Sequence, residues 1–203
     1  MRPHKLLAVT AAVFSVFAAT PAAAHHVMGG RTPATFFEGL LSGLGHPIIG
    51  PEHLAFLIAV GLIVGAAGLS LTLPALYVIA MAVGVALHVS GMSVPASEMA
   101  MGLSVLVAGG LILLKVPLPR FAWGLLFAAA GLFHGYAFGE SIAGAERTPV
   151  GAYLLGLVLI QATLILGITV LVRRLDVRVG NKETRIAGLA IVALGVAALV
   201  GYV

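Results

Sequence analysis

Residues 149–172, PVGAYLLGLVLIQATLILGITVLV, form an uncharged run between Arg147 and Arg173. A helix rises about 1.5 Å per residue, so this run is long enough to cross the roughly 30 Å hydrocarbon layer of a bilayer. Five further apolar runs of spanning length precede and follow it, at about Pro51 to Ser70, Leu73 to Gly91, Pro95 to Leu114, Phe121 to Gly139 and Ile186 to Val203. With 61% hydrophobic and 9% charged residues and a mean hydropathy of +1.14, the chain cannot surround one core with a water-compatible surface. The predicted fold is all-α: a polytopic membrane protein with a six-helix transmembrane bundle. Its 26 glycines suit that solvent, where close backbone approach at small residues holds helices together.

Helix starts are marked by Pro51, Pro74, Pro95 and Pro149, because proline fits the first helical position, where its missing N–H would be unpaired anyway. Thr72 and Thr148 are expected as caps. Gly131, Gly135 and Gly139, like Gly61 and Gly65, recur every fourth residue and give smooth stripes for helix packing. The first 24 residues read as a cleaved secretory signal, with Arg2 and Lys5 ahead of an apolar core from Leu6 to Ala19 and a small-residue site at Ala22-Ala23-Ala24. Residues 25–50 are then a periplasmic N-terminal segment leading into the first span, and 51–203 the six-helix domain.

Charge sets the orientation. With the mature N-terminus outside, the loops holding Lys115 and Arg120, and Arg173, Arg174, Arg178, Lys182 and Arg185, face the cytoplasm, as the positive-inside rule requires of a bacterial inner-membrane protein. The other face carries Arg31 and Arg147 against Glu38, Glu52, Glu98, Glu140 and Glu146, an acidic surface attractive to cations. The basic residues lie in short loops that set topology, so the pI near 9.9 does not imply a nucleic-acid partner. The partners are membrane lipid and a divalent metal ion. With no cysteine, thiolate chemistry is excluded and a metal must bind through nitrogen and oxygen.

The polar groups in these runs gather near the outer side. His46, Glu52 and His53 mark the start of the first span, and His88 lies about 5 Å below the outer end of the second at 1.5 Å per residue. Glu98 opens the third, His134 lies about 8 Å below Gly139 in the fourth, and Glu140 follows at the rim. Intramembrane ionisable groups are costly enough to be functional by default, and imidazoles with carboxylates suit a divalent transition metal. For His88 a structural hydrogen bond is as good an account as ligation. In His46-Pro-Ile-Ile-Gly-Pro-Glu52-His53, Pro47, Gly50 and Pro51 forbid one continuous helix, so the segment bends and both rings can face a common point.

These residues resemble the HupE/UreJ family of nickel and cobalt permeases and urease or hydrogenase accessory membrane proteins. The resemblance runs over essentially the whole mature chain. It rests on the histidine-bearing N-terminus, the His-x5-acid-His motif (His46, Glu52, His53), Pro-x-x-Glu (Pro95, Glu98) and Phe-His-Gly-x-Ala-x-Gly (Phe133, His134, Gly135, Ala137, Gly139). Two departures stand out: Glu52 where the family usually has Asp, and Ser141 where it places a Glu, with Glu140 beside it. The resemblance implies metal uptake without choosing nickel over cobalt.

The expected activity is therefore not enzymatic. His25, His26 and the acidic face collect an ion, and His46, His53, His134 and Glu98, with Glu52, His88 and Glu140 as further candidates, bind it. No permanently bound cofactor is implied: Ni2+ or Co2+ is the cargo. Two rivals stay open, an intramembrane zinc hydrolase and a non-transporting accessory or haem-anchoring subunit with His88 and His134 as axial ligands. The chain lacks a His-Glu-x-x-His signature and a nucleotide-binding loop.

Overall fold

The computed structural model describes residues 31–201, which form seven α-helices: α1 Phe36–Ile49, α2 Pro51–Ala66, α3 Thr72–Val89, α4 Ser97–Leu114, α5 Arg120–Glu140, α6 Arg147–Arg174 and α7 Lys182–Leu199. The expected signal segment, His25 and His26 lie outside the described residues. Helices α3, α4, α5 and α6 are each long and apolar enough to cross a membrane, and the bent pair α1 and α2 makes up to five. Helix α7 carries Lys182, Glu183 and Arg185 in its first turn, so its uncharged part is shorter than the run expected from Ile186 to Val203.

The helices expose what a soluble protein would hide. Phe121, Leu114, Ile79 and Leu189 stand more than half exposed on the outer faces, and only 28% of the apolar window of α3 is buried. Such a continuous apolar surface belongs in lipid. Inside, Phe56, Leu57, Val60, Tyr77, Phe127 and Ile165 form the main buried cluster.

Helix α1 occupies a segment expected only as a lead-in. Its start is built by a reciprocal cap: Thr35 Oγ1 accepts from the Glu38 N–H at 3.2 Å, while the Glu38 carboxylate accepts from the N–H groups of Ala34 and Thr35 at 2.8 and 3.1 Å. This arrangement satisfies backbone donors that the first turn cannot pair internally. Pro47 is accommodated in its last turn. The chain then breaks at Gly50 and turns 77° into α2, with Pro51 at the first helical turn. The bend expected between His46 and His53 is thus present, and it falls at Gly50.

Other expected starts shift. Pro95 sits in the turn before α4, whose cap is Ala96 in the left-handed region at φ 56. Thr72 lies inside α3 behind Leu71, and Thr148 inside α6 behind Glu146. In place of a threonine cap, the Ser70 hydroxyl accepts from the Thr72 N–H at 3.3 Å.

Backbone contacts at glycines set the registers that position the site. Along the α3–α5 seam, Gly131 lies on Tyr77, Gly135 on Met81 and Gly139 on Val85 and His88, so these helices run the same way. Gly39 and Gly43 of α1 meet the backbone of Pro149 and Tyr153 in α6, and Gly61 and Gly65 of α2 meet Ile165 and Thr169 further along it. Helix α6 is thus a rail on which the two arms of the broken segment are laid in succession. One end of the bundle carries Glu98, Glu140 and Glu146, and the other Lys115, Arg173 and Arg185; these are called the acidic and basic ends below.

Candidate functional site

The break at Gly50 puts His46, in the last turn of α1, near Glu52 and His53 in the first turn of α2. All three are at least 95% buried, and His134 of α5 is wholly buried beside them. The imidazole centroids of His46 and His53 are 5.7 Å apart and those of His53 and His134 5.1 Å. Aromatic rings wall the group: Phe138 lies 4.1 Å from His53 and 5.0 Å from His46, and Phe56 lies 4.7 Å from His134.

The hydrogen bonds fix which ring nitrogens carry protons. The Ser104 hydroxyl donates to the Met101 carbonyl at 2.6 Å and so accepts from His134 Nε2 at 3.0 Å. His134 Nδ1 is then an acceptor, and the 2.9 Å contact between the two Nδ1 atoms is a bond donated by His53. The Tyr153 hydroxyl donates to the Phe138 carbonyl at 2.9 Å and so accepts from His46 Nδ1, also at 2.9 Å. A neutral imidazole has one N–H, so in that state both His46 and His53 keep Nε2 as the unprotonated nitrogen.

Glu52 Oε1 lies 3.4 Å from His53 Nε2. A carboxylate oxygen facing an imidazole lone pair calls for positive charge between them, supplied by a proton or by a metal ion. Metal-bound histidines commonly donate their other ring N–H to a fixed acceptor, which sets tautomer and orientation. Tyr153 does this for His46, and the His134–Ser104 chain does it for His53. The arrangement thus gathers two imidazoles and a carboxylate in one buried, aromatic-walled cluster.

The structure does not bring every expected residue to this point. His88 packs on Gly139, five residues along α5 from His134, or about 8 Å towards the acidic end. Its Nδ1 is 2.8 Å from the Tyr136 carbonyl, the structural role weighed for it above. Glu98 is exposed at the start of α4, six residues before Ser104, and Glu140 is exposed six residues beyond His134; each is about 9 Å along its helix from the cluster. Among the described residues, no three His, Asp or Glu side chains stand around one point ready to hold a metal ion; His46, Glu52 and His53 are neighbours that side-chain rotation would have to converge on a cation. Ser104 and Tyr153 are the site residues that sequence reasoning did not assign. Ser104 is signalled by its hydroxyl within an apolar run, whereas nothing in one sequence connects Tyr153 to His46.

The whole-chain comparisons agree with this architecture. The family model described as HupE / UreJ protein matches residues 12–198. Protein HupE of Rhizobium leguminosarum bv. viciae is 30% identical over 168 residues, covering 81% of this chain and 86% of that protein. No solved structure matches. On a family match spanning nearly every residue and a relative aligned over most of both chains, this protein belongs to the HupE/UreJ family.

Proposed function

We propose that the protein is a permease that carries nickel or cobalt inward across the bacterial inner membrane, with His46, His53 and Glu52 as its principal binding site. The observation that carries this reading is the pair of buried neighbouring imidazoles, His46 and His53, whose Nδ1 atoms are both tied back, with a buried carboxylate beside Nε2 of His53. Imidazole and carboxylate together suit borderline divalent ions. Membership of a family of transporters and accessory membrane proteins supports a role in nickel or cobalt handling and speaks against an enzyme.

In this reading the bent pair α1–α2 and helices α3 to α7 are the six spans. Helix α1 enters from the acidic end as the first arm of a broken span and brings His46 down to the site, with α2 continuing towards the basic end; irregular backbone at membrane depth is tolerated where it lines a cavity. The acidic end faces the periplasm, where the cleaved signal leaves His25 and His26 at the mature N-terminus. These histidines with Glu98, Glu140 and Glu146 concentrate cations at the mouth. Lys115, Arg173, Arg174, Arg178, Lys182 and Arg185 keep the basic end in the cytoplasm. The membrane potential drives a cation inward at about 2.3 kcal/mol per charge per 100 mV.

His134 serves this site by orienting His53 through Nδ1, its own Nε2 being held by Ser104. Tyr153→Phe removes the acceptor that sets the His46 tautomer while keeping the ring. It is expected to weaken nickel binding by about 10- to 100-fold, the usual cost of losing such a partner, with the helical fold unchanged. Titration calorimetry on purified protein measures this, and affinity equal to wild type would remove Tyr153 from the account.

Uptake of radiolabelled nickel and cobalt into a host lacking its own transporters tests the function. Saturable uptake above the empty host is expected. None, with the protein correctly inserted, would sink the permease reading.

A further inference from the structure

The histidine cluster lies towards the acidic half of the bundle, and an ion leaving it for the basic end meets mostly apolar side chains. Two exceptions are wholly buried. The Tyr77 hydroxyl, and both the oxygen and the nitrogen of the Gln161 amide, make no hydrogen bond among the described residues. Buried polar side chains are nearly always paired with protein or ordered water, so each such group requires an explanation. Three in one membrane-embedded core, on two helices, require one together.

The registers put them at the same depth. Pro74 and Val78 of α3 line one cavity with Ala162 and Ile165 of α6, which puts Tyr77 at the depth of the helical turn that carries Gln161. Gly61 packs on Ile165 and Gly65 on Thr169, so one turn back along α2 Leu57 falls beside Gln161. The neighbouring Phe56 holds the Tyr77 ring at 5.4 Å. That level is one turn past His53 towards the basic end, about 6 Å further along α2. It is also continuous with the site, since the ring of Tyr77 lies 6.2 Å from that of His134.

We infer that Tyr77 and Gln161 form a second, inner station that receives a partly hydrated divalent cation from the histidine site. The phenol oxygen and the amide carbonyl are neutral oxygen donors, able to bind the ion directly or through its water. The amide nitrogen donates to an accompanying water. Neutral oxygens hold a nickel or cobalt ion less firmly than imidazole and carboxylate, so the ion is bound tightly enough to arrive and weakly enough to leave. Passage between unequal neighbouring sites of this kind is what conduction requires. The inference rests on the permease reading above.

The test compares wild type with Tyr77→Phe and Gln161→Leu, each of which removes polar atoms and keeps approximate shape. Initial rates of Ni2+ uptake are measured in proteoliposomes loaded with matched amounts of monodisperse protein, alongside equilibrium Ni2+ binding to the same preparations. The expected result is maximal uptake at least about tenfold lower in both variants, with half-saturation and equilibrium binding unchanged because the histidine site is intact. Wild-type uptake rates in both variants would overturn the inner station and leave the permease reading standing. Loss of Ni2+ binding together with uptake would also overturn it, by showing that the two residues merely support the histidine site. No uptake by wild type would sink the permease reading and the station with it.

Discussion

His53→Ala is expected to abolish saturable nickel and cobalt uptake at normal membrane expression. His53 joins three parts of the site: its Nδ1 engages His134, its Nε2 faces Glu52, and its ring packs on Phe138. Alanine removes one of the two imidazoles proposed as ligands and leaves the buried Glu52 carboxylate without the His53 ring beside it. His134→Ala acts differently, because it frees the His53 tautomer without removing a ligand. It is expected to lower affinity by about 10- to 100-fold while saturable uptake persists at raised metal. Equal and complete loss in both variants would place His134 among the ligands.

Gly135→Val is expected to prevent the bundle from assembling. A Cβ at Gly135 runs into the Met81 carbonyl, and on either side Gly131 packs closely on the Tyr77 carbonyl and Gly139 on the His88 side chain. The two backbones cannot separate at one point without opening the whole α3–α5 seam, which also carries His134. Overpacking an ordinary core costs about 1–3 kcal/mol, and contact with backbone, which has no rotamer to change, puts this variant at the upper end or beyond. Gly110→Ala is the control, since nothing lies within 4 Å of its Cβ position; alanine is about 1 kcal/mol better than glycine in a helix interior. The yield of monodisperse protein extracted in mild detergent is expected to collapse for Gly135→Val and to hold or rise for Gly110→Ala. A wild-type yield for Gly135→Val would contradict the close seam.

Much of this fold is legible in the sequence because the bilayer imposes a length. The apolar runs beginning at Pro51, Leu73, Pro95, Phe121 and Pro149 reappear as α2 to α6 with ends shifted by a few residues. Helix α1 is not read from the sequence: Thr35-Phe36-Phe37-Glu38 carries a helix-start signature, but the glycines and proline that follow mask it. The meeting of His46 and His53 follows from Gly50 and Pro51, where the chain bends, while Pro47 stays within the last turn of α1.

Depth counted from span ends, however, places residues along a helix without saying how neighbouring helices slide past one another. The α3–α5 register sets His88 against Gly139 and not beside His134, so the expected single layer separates into a buried cluster and a mouth. The partnerships of Ser104 with His134 and of Tyr153 with His46 depend on helix rotation and on distant pairings, which one sequence does not encode in any local pattern.

X-ray absorption spectroscopy on the purified, nickel-loaded protein tests the ligand set most directly. The account predicts a first shell containing two imidazoles and carboxylate or water oxygens, one imidazole lost in His46→Ala and in His53→Ala at matched nickel loading, and both retained in His134→Ala. A first shell without imidazole, or one unchanged when His46 and His53 are both replaced, would contradict it.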